Sequence, residues 1–323
     1  MTLTPTPRQD HSGAGLSQGR GRQRQGGVAL VLVMWASVIL GVIAASFILE
    51  RRTETLIVMN SVSLARAQAA ADAGVSRAIA EAYRNDPNAI DAWKRDGVPH
   101  DWNFDGIAVR VEMRDESAKI DINTASEALL RGLLLSVGLP DEEANRLLDS
   151  LLDWRDPDTL KRPNGAEEPD YRAAGLTYRP ANASFQAIEE IQLVLGMRPE
   201  LFRRLAPLIT VHSRQAGINP LVASREVLRA IPGITSEIVD DYIARRDAAL
   251  AAGEAPPTLP QAGSFATGTS SVLNVRSRSR IDDGVEFERE AVALLRPVPR
   301  RPVTYLAWRE STAPPPAPQE HPR

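Results

Sequence analysis

The chain has no cysteine and only four histidines among 323 residues. Without cysteine there is no disulfide staple, no thiolate nucleophile and no sulfur-ligated metal centre. His11, His100, His212 and His321 are far apart in sequence, so their spacing forms no metal-ligand or acid–base pair. His100, beside Asp101, is expected in a loop, and His212 just past a helix; both are expected to be ordinary surface residues. A glycine-rich phosphate loop is also missing. No catalytic constellation emerges, and the chain is expected not to be an enzyme. A basic surplus is lacking too. The net charge is −3, and the first 27 residues carry four arginines against one aspartate, which leaves about −6 on the remainder. That balance argues against a nucleic-acid partner.

What the chain does have is one long apolar run. Arg20-Gly21-Arg22-Gln23-Arg24-Gln25-Gly26-Gly27 leads into Val28–Leu49, and Glu50-Arg51-Arg52 closes it. A helix of this run is roughly 33 Å long, enough to cross a bilayer, and the arginines before it should stay cytoplasmic. A buried core helix and a cleavable secretory signal, favoured by Ala44-Ala45, are the competing readings. Helix-forming sequence continues past Arg52 through Leu64-Ala65-Arg66-Ala67-Gln68-Ala69-Ala70-Ala71-Asp72-Ala73. Asn85-Asp86-Pro87 supplies a stop, so one helix of ~85 Å is expected from Val28 to about Arg84.

A short basic leader, a glycine and a long half-buried helix resemble the N-terminus of type IV pilins and type II secretion pseudopilins. That resemblance implies cleavage by a membrane prepilin peptidase between Gly27 and Val28. Most members carry glutamate at the fifth mature position, and this chain has Leu32 there. In the family the carboxylate neutralises a neighbour's terminal amine inside the bundle, where an unpaired charge is costly. A subunit without it is expected to be specialised and of low copy.

Residues 107–114 alternate, with Ile107, Val109, Val111 and Met113 on one face, which predicts a half-buried strand. Beyond residue 270, one hairpin register sets Arg280 opposite Glu286, Arg278 opposite Glu288 and Arg276 opposite Glu290. It requires a three-residue loop, Asp282-Asp283-Gly284, with Gly284 left-handed. A solvated charged face without pairing is the alternative. Strands at 107–114, 271–281, 285–295 and 303–308 form one antiparallel sheet on the helix. The stretch between them is mostly helical: Ser126–Leu135, Glu142–Asp153, Ala187–Leu195, Pro199–Ala206, Ser224–Ile231 and Ser236–Ala249. The fold class is α+β, a pilin-like fold with a large helical insertion. The boundaries are 1–27 leader, 28–49 membrane helix, 50–117 remaining helix and first strand, 118–258 insertion, 259–309 last strands and 310–323 disordered tail.

The insertion holds a loose repeat. Ile122-Asn123-Thr124-Ala125-Ser126 and Ile218-Asn219-Pro220-Leu221-Val222-Ala223-Ser224 each lead to an apolar pair, a glycine turn and a helix ending in Trp154-Arg155-Asp156 or Arg245-Arg246-Asp247. The units resemble helix-hairpin-helix or SAM-like units. DNA-binding hairpins turn on Gly-x-Gly, whereas these turns read Val137-Gly138-Leu139-Pro140 and Pro232-Gly233-Ile234-Thr235, which favours packing or protein docking.

Six acids occur within the 18 residues Asp153–Asp170. Asp156 and Asp158 are spaced as in calcium loops, and Asn164-Gly165 can turn Glu167, Glu168 and Asp170 back toward them. Zinc is disfavoured by the absence of cysteine and nearby histidine. The alternative is a solvated loop with Asp156 and Asp158 paired to Lys161 and Arg162. Ile120-Asp121-Ile122-Asn123, Leu151-Leu152-Asp153-Trp154-Arg155-Asp156-Pro157-Asp158, Pro163-Asn164-Gly165-Ala166-Glu167-Glu168 and Glu189-Glu190-Ile191-Gln192-Leu193-Val194-Leu195-Gly196-Met197 together resemble the general secretion pathway protein K family. The resemblance spans Gly27 to about Trp308. It implies a minor pseudopilin of type II secretion, capping the pseudopilus with the I and J components and working with the major pseudopilin. It also implies Ca2+ on Asp156, Asp158, Glu167, Glu168 and Asp170, with Asp153 a weaker ligand. The location implied is the bacterial inner membrane, single-pass, with the bulk periplasmic. A membrane-anchored DNA-capture protein using the hairpin units is the second reading, and an adhesive type IV pilus subunit the third.

Overall fold

The computed structural model describes residues 26–84, 92–281, 284–296, 298 and 300–311. The leader through Gln25, the Asn85-Asp86-Pro87 stop, Asp282-Asp283 and the tail from Thr312 lie outside the described residues. The chain divides into two units, Met1–Asn60 and Ser61–Arg323. Helix α1, Gly26–Tyr83, belongs to both.

In the first unit, α1 presents bare apolar side chains all round. Leu30, Leu32, Trp35 and Leu40 are each more than 60% exposed. Ala29–Phe47 is long and apolar enough to cross a membrane, with a mean hydropathy of 2.5.

In the second unit, α1 buries a narrow stripe of small residues, Ala67, Ala70, Ala71, Val75 and Ala78. It lies on a five-stranded antiparallel sheet. The strands, in chain order, are β1 (Asp96–Phe104), β2 (Ile107–Asp115), β5 (Val272–Arg280), β6 (Glu286–Leu295) and β7 (Val303–Ser311), and they adjoin in that order. The inward residues of β2, Ile107, Val109, Val111 and Met113, are buried against the helix. Each such side chain contributes about 1.5–3 kcal/mol of burial. The β5–β6 register pairs Arg280 with Glu286, Arg278 with Glu288 and Arg276 with Glu290, as the charges require. Gly284 has a φ of 87°, and Ile281 and Val285 close the loop with a 3.0 Å hydrogen bond.

Three expectations are corrected. His100 and Asp101 lie on the edge strand β1, not in a loop. The last strand runs on to Ser311, so residues 310 and 311 belong to the sheet and not to a tail. Residues Ile188–Leu193 form a 3-10 helix rather than an α-helix.

Between β2 and β5 the chain forms a second core. Its elements are β3 (Ile120–Asp121), α2 (Glu127–Ser136), α3 (Asp141–Arg155), α4 (Glu168–Ala173), α5 (Pro199–Leu205), β4 (Ile209–Thr210), α6 (Arg225–Leu228) and α7 (Ser236–Ala252). Both crossings are held by one carboxylate. Buried Asp115 accepts from the Ser117 amide at 2.9 Å and from the Ser270 amide at 3.0 and 3.1 Å. Arg95 spans the same corner, donating to the Ala82 carbonyl at 3.2 Å and to the Ser270 carbonyl at 3.4 Å. The helical segment therefore leaves the sheet beside the C-terminal end of α1. The β5–β6 loop is at the opposite end, where the Ser279 hydroxyl donates to the Ala67 carbonyl.

Candidate functional site

The repeated units share one construction. Ser126 caps α2 by accepting from the Leu129 amide, and Ser224 caps α6 by accepting from the Val227 amide. Upstream, Asp121 accepts from the amide of Asn123, and Asn219 from that of Leu221. Each following helix returns an arginine to this turn. Arg155 donates to the carbonyls of Ile122 and Ala125, and Arg246 to those of Pro220 and Ala223. The units meet where Gly132 abuts the carbonyl of Ala230, leaving no room for a Cβ. Arg155, at the end of α3, and Arg246, inside α7, which runs on to Ala252 rather than ending at Asp247 as expected, are thus internal struts.

The acidic loop starts where α3 ends. Asp153 still lies on that helix and is buried. It accepts the Arg162 amide at 3.3 Å, stands 3.8 Å from the Arg162 guanidinium, and is closed in by Gly165. Trp154 turns inward to stack on Phe185 and to meet Tyr171. The Tyr171 phenol, pushed up to about 12 by burial, accepts the Leu195 amide at 3.0 Å. This aromatic core sets the positions of the flanking carboxylates.

The structure sorts the five sequence-derived ligands into two groups. Asp156, Asp158 and Glu167 face one another closely enough to repel. Burial, followed by the charge of Asp158, pushes the Asp156 carboxyl above its ordinary range. Burial, followed by Asp153 and Asp156, does the same to Glu167. Asp153 is raised chiefly by burial. Asp156 Oδ1 and Glu167 Oε1 are buried with no hydrogen-bond partner. Glu168 and Asp170 stand apart from this group. They lie on α4, a helix absent from the sequence reading. Glu168 pairs with Arg172 and Arg179. Asp170 pairs with Lys161 at 2.5 Å, which holds its carboxyl below the ordinary range, and accepts the Glu167 amide at 2.9 Å. Lys161 and Arg162 thus go to Asp170, Asp153 and Glu127 rather than to Asp156 and Asp158. Among the described residues, no three acidic or histidine side chains stand in a ready-made ligand arrangement.

Helix α1 begins at Gly26, so Gly27 and Val28 fall in its first turn, before the Ala29–Phe47 run.

Residues 111–214 match a family model described as type II secretion system protein K. The protein of that name from Pseudomonas aeruginosa is 28% identical over 241 residues, covering 67% of this chain and 72% of the relative. That from Pectobacterium carotovorum is 26% identical over 224 residues, covering 61% and 67%. Among solved structures, one titled the GspK-GspI-GspJ complex from the enterotoxigenic Escherichia coli type 2 secretion system contains a similar chain. It matches with a TM-score of 0.57 and 17% identity, over 82% of this chain and all of that one. With the N-terminal helix, the antiparallel sheet and the helical segment between its strands, these matches favour a secretion component over a DNA-capture protein: the chain is similar, in sequence and in fold, to type II secretion system protein K.

Proposed function

We propose that this chain acts at the tip of the type II secretion pseudopilus, where it initiates or caps fibre assembly with the I and J minor pseudopilins and the major pseudopilin. The observation that carries this is the exit of the helical segment from the sheet beside the C-terminal end of α1. Mass placed there obstructs a further subunit on that side, while the apolar stretch of α1 in the first unit stays bare for neighbouring helices. In this reading a prepilin peptidase cuts between Gly27 and Val28. The span then holds the subunit in the inner membrane, N-terminus cytoplasmic and bulk periplasmic, until it is drawn into the fibre. Copurification of the full chain with the I, J and major pseudopilins tests the assignment. A stable complex with I and J that does not take up major pseudopilin above itself supports a cap. Polymerisation of this chain with itself would overturn it.

In this role we propose that the acidic loop takes a calcium ion. Two buried carboxylate oxygens without donors, on residues whose charges repel, are what an oxygen-seeking divalent cation relieves. Asp156, Asp158 and Glu167 would hold it. Asp153 would orient the loop, and Glu168 and Asp170 would brace α4. The ion would supply charge neutralisation and a cross-link to a stretch with little regular structure. Thermal unfolding with calcium and with excess chelator tests the site: a rise in midpoint with calcium that Asp156→Asn abolishes supports it, and equal midpoints reject it.

A further inference from the structure

A cleft of about 470 Å³ lies between the outer face of the sheet and the helical segment, within the size range of small-molecule pockets. Strand register lays out its floor in two rows. Glu112, Arg276, Glu290 and Arg309 stand opposite one another across four strands, alternating in sign. Beside them run Arg114, Asn274, Val292 and Ala307. The opposing wall includes Glu116, Lys119, Phe202 and His212. His212, expected on the surface, is half-buried here after β4, and burial lowers its pKa against the attraction of Glu116, keeping the ring neutral.

Most of these charges are already matched. Arg309 grips Glu189 with two hydrogen bonds of 2.6 and 3.3 Å, Arg276 reaches Glu288 at 3.4 Å, and Glu290 accepts from Asn274 at 3.0 Å. Three groups are left over, Arg114 of one sign and Glu112 and Glu116 of the other; the Glu112 carboxylate has no ion-pair or hydrogen-bond partner among the described residues. The Arg114 guanidinium lies over Gly97, against the space a Cβ would fill, and has no ion-pair or hydrogen-bond partner among the described residues. Glu116 is 2% exposed; its Oε1 is 3.5 Å from the Lys119 ammonium, while its Oε2 is buried with no partner. A buried acceptor left in this condition is costly, the more so when charged. Glu112 and Glu116 are balanced by Arg114 and Lys119, so a purely cationic or anionic guest would upset the local charge. A guest with separated charges and no net charge would not. Phe202, Val292 and Ala307 offer apolar surface for its body.

We propose that this cleft binds a small zwitterion of the α-amino-acid or short-peptide class, its carboxylate on Arg114 and its ammonium on Glu116. The test is calorimetric titration of the full chain in detergent micelles with leucyl-leucine, its N-acetylated form and its C-terminal amide. The expected result is binding of the free dipeptide with both capped forms weaker by about tenfold or more. Arg114→Gln should erase the preference for acid over amide, and Glu116→Gln the preference for free over acetylated amine. Arg114 is half-exposed, so its variant keeps the test valid if Glu116→Gln disturbs folding. No heat up to about 10 mM dipeptide, or Arg114→Gln binding all three probes as the parent does, overturns the proposal.

Discussion

At the scale of single residues, two positions decide whether α1 stays on the sheet. Gly74 faces β2 and β5 so closely that a Cβ would fall 2.9 Å from Val109 Cγ1 and into the Ser277 hydroxyl. Gly74→Val therefore forces the helix off its seat, although β-branching alone costs a helix little. Overpacking of this kind costs about 1–3 kcal/mol, visible as a lower thermal midpoint of the full chain. Arg289 is the second. Its guanidinium is 2.7 Å from Asp72 on α1 and lies between the rings of Phe287 and Trp308, at 4.9 and 5.1 Å. A planar cation stacks where an ammonium cannot. Arg289→Lys is expected to recover little of the stability that Arg289→Ala loses, with equal denaturation midpoints for Arg289→Lys and the parent as the contrary result.

At the scale of elements, the hairpin and the acidic loop differ in how much their sequences disclose. Three arginine–glutamate pairs admit one antiparallel register, and opposite charges on neighbouring strands fix it locally. Even so, Arg276 leans diagonally to Glu288 while Glu290 takes Asn274, a choice of rotamers that register alone leaves open. Strand β1 escaped notice because Asp96-Gly97-Val98-Pro99-His100-Asp101 has no alternation; it is an edge strand with Pro99 next to a register shift. In the acidic loop, sequence spacing shows six acids but not which cations claim them. Lys161 and the arginines remove Glu168 and Asp170, and this depends on α4 forming. What remains titrates in a defined direction. Asp153, Asp156 and Glu167 hold protons more tightly when folded than unfolded. Their contribution is present at low pH and is lost as pH rises through the raised folded values. In chelator, the unfolding midpoint should fall as pH rises through and above the ordinary carboxylate range; in calcium, that slope should flatten. A chelated protein whose midpoint rises over that interval would contradict this.

At the scale of the whole molecule, attachment matters most. The helical segment is spliced into the sheet at one corner, where Asp115 receives the amides of both crossings. Asp115→Ala should speed hydrogen exchange at residues 116–119 and 270–272 while β5 and β6 keep their protection; uniform exchange across the sheet would mean the corner is not a separate joint. The helix and sheet were legible in sequence because both carry strong periodicities, whereas the corner rests on one buried carboxylate between residues 155 apart in the chain. Its consequence is mechanical. Within the second unit, strain on α1 passes into β2, β5 and β6 through the buried alanine stripe, and the two crossings leave the sheet side by side at one corner. The spliced segment therefore hangs beside the packed helix and sheet, and strain carried by that contact need not pass through the part that holds the acidic loop and the cleft.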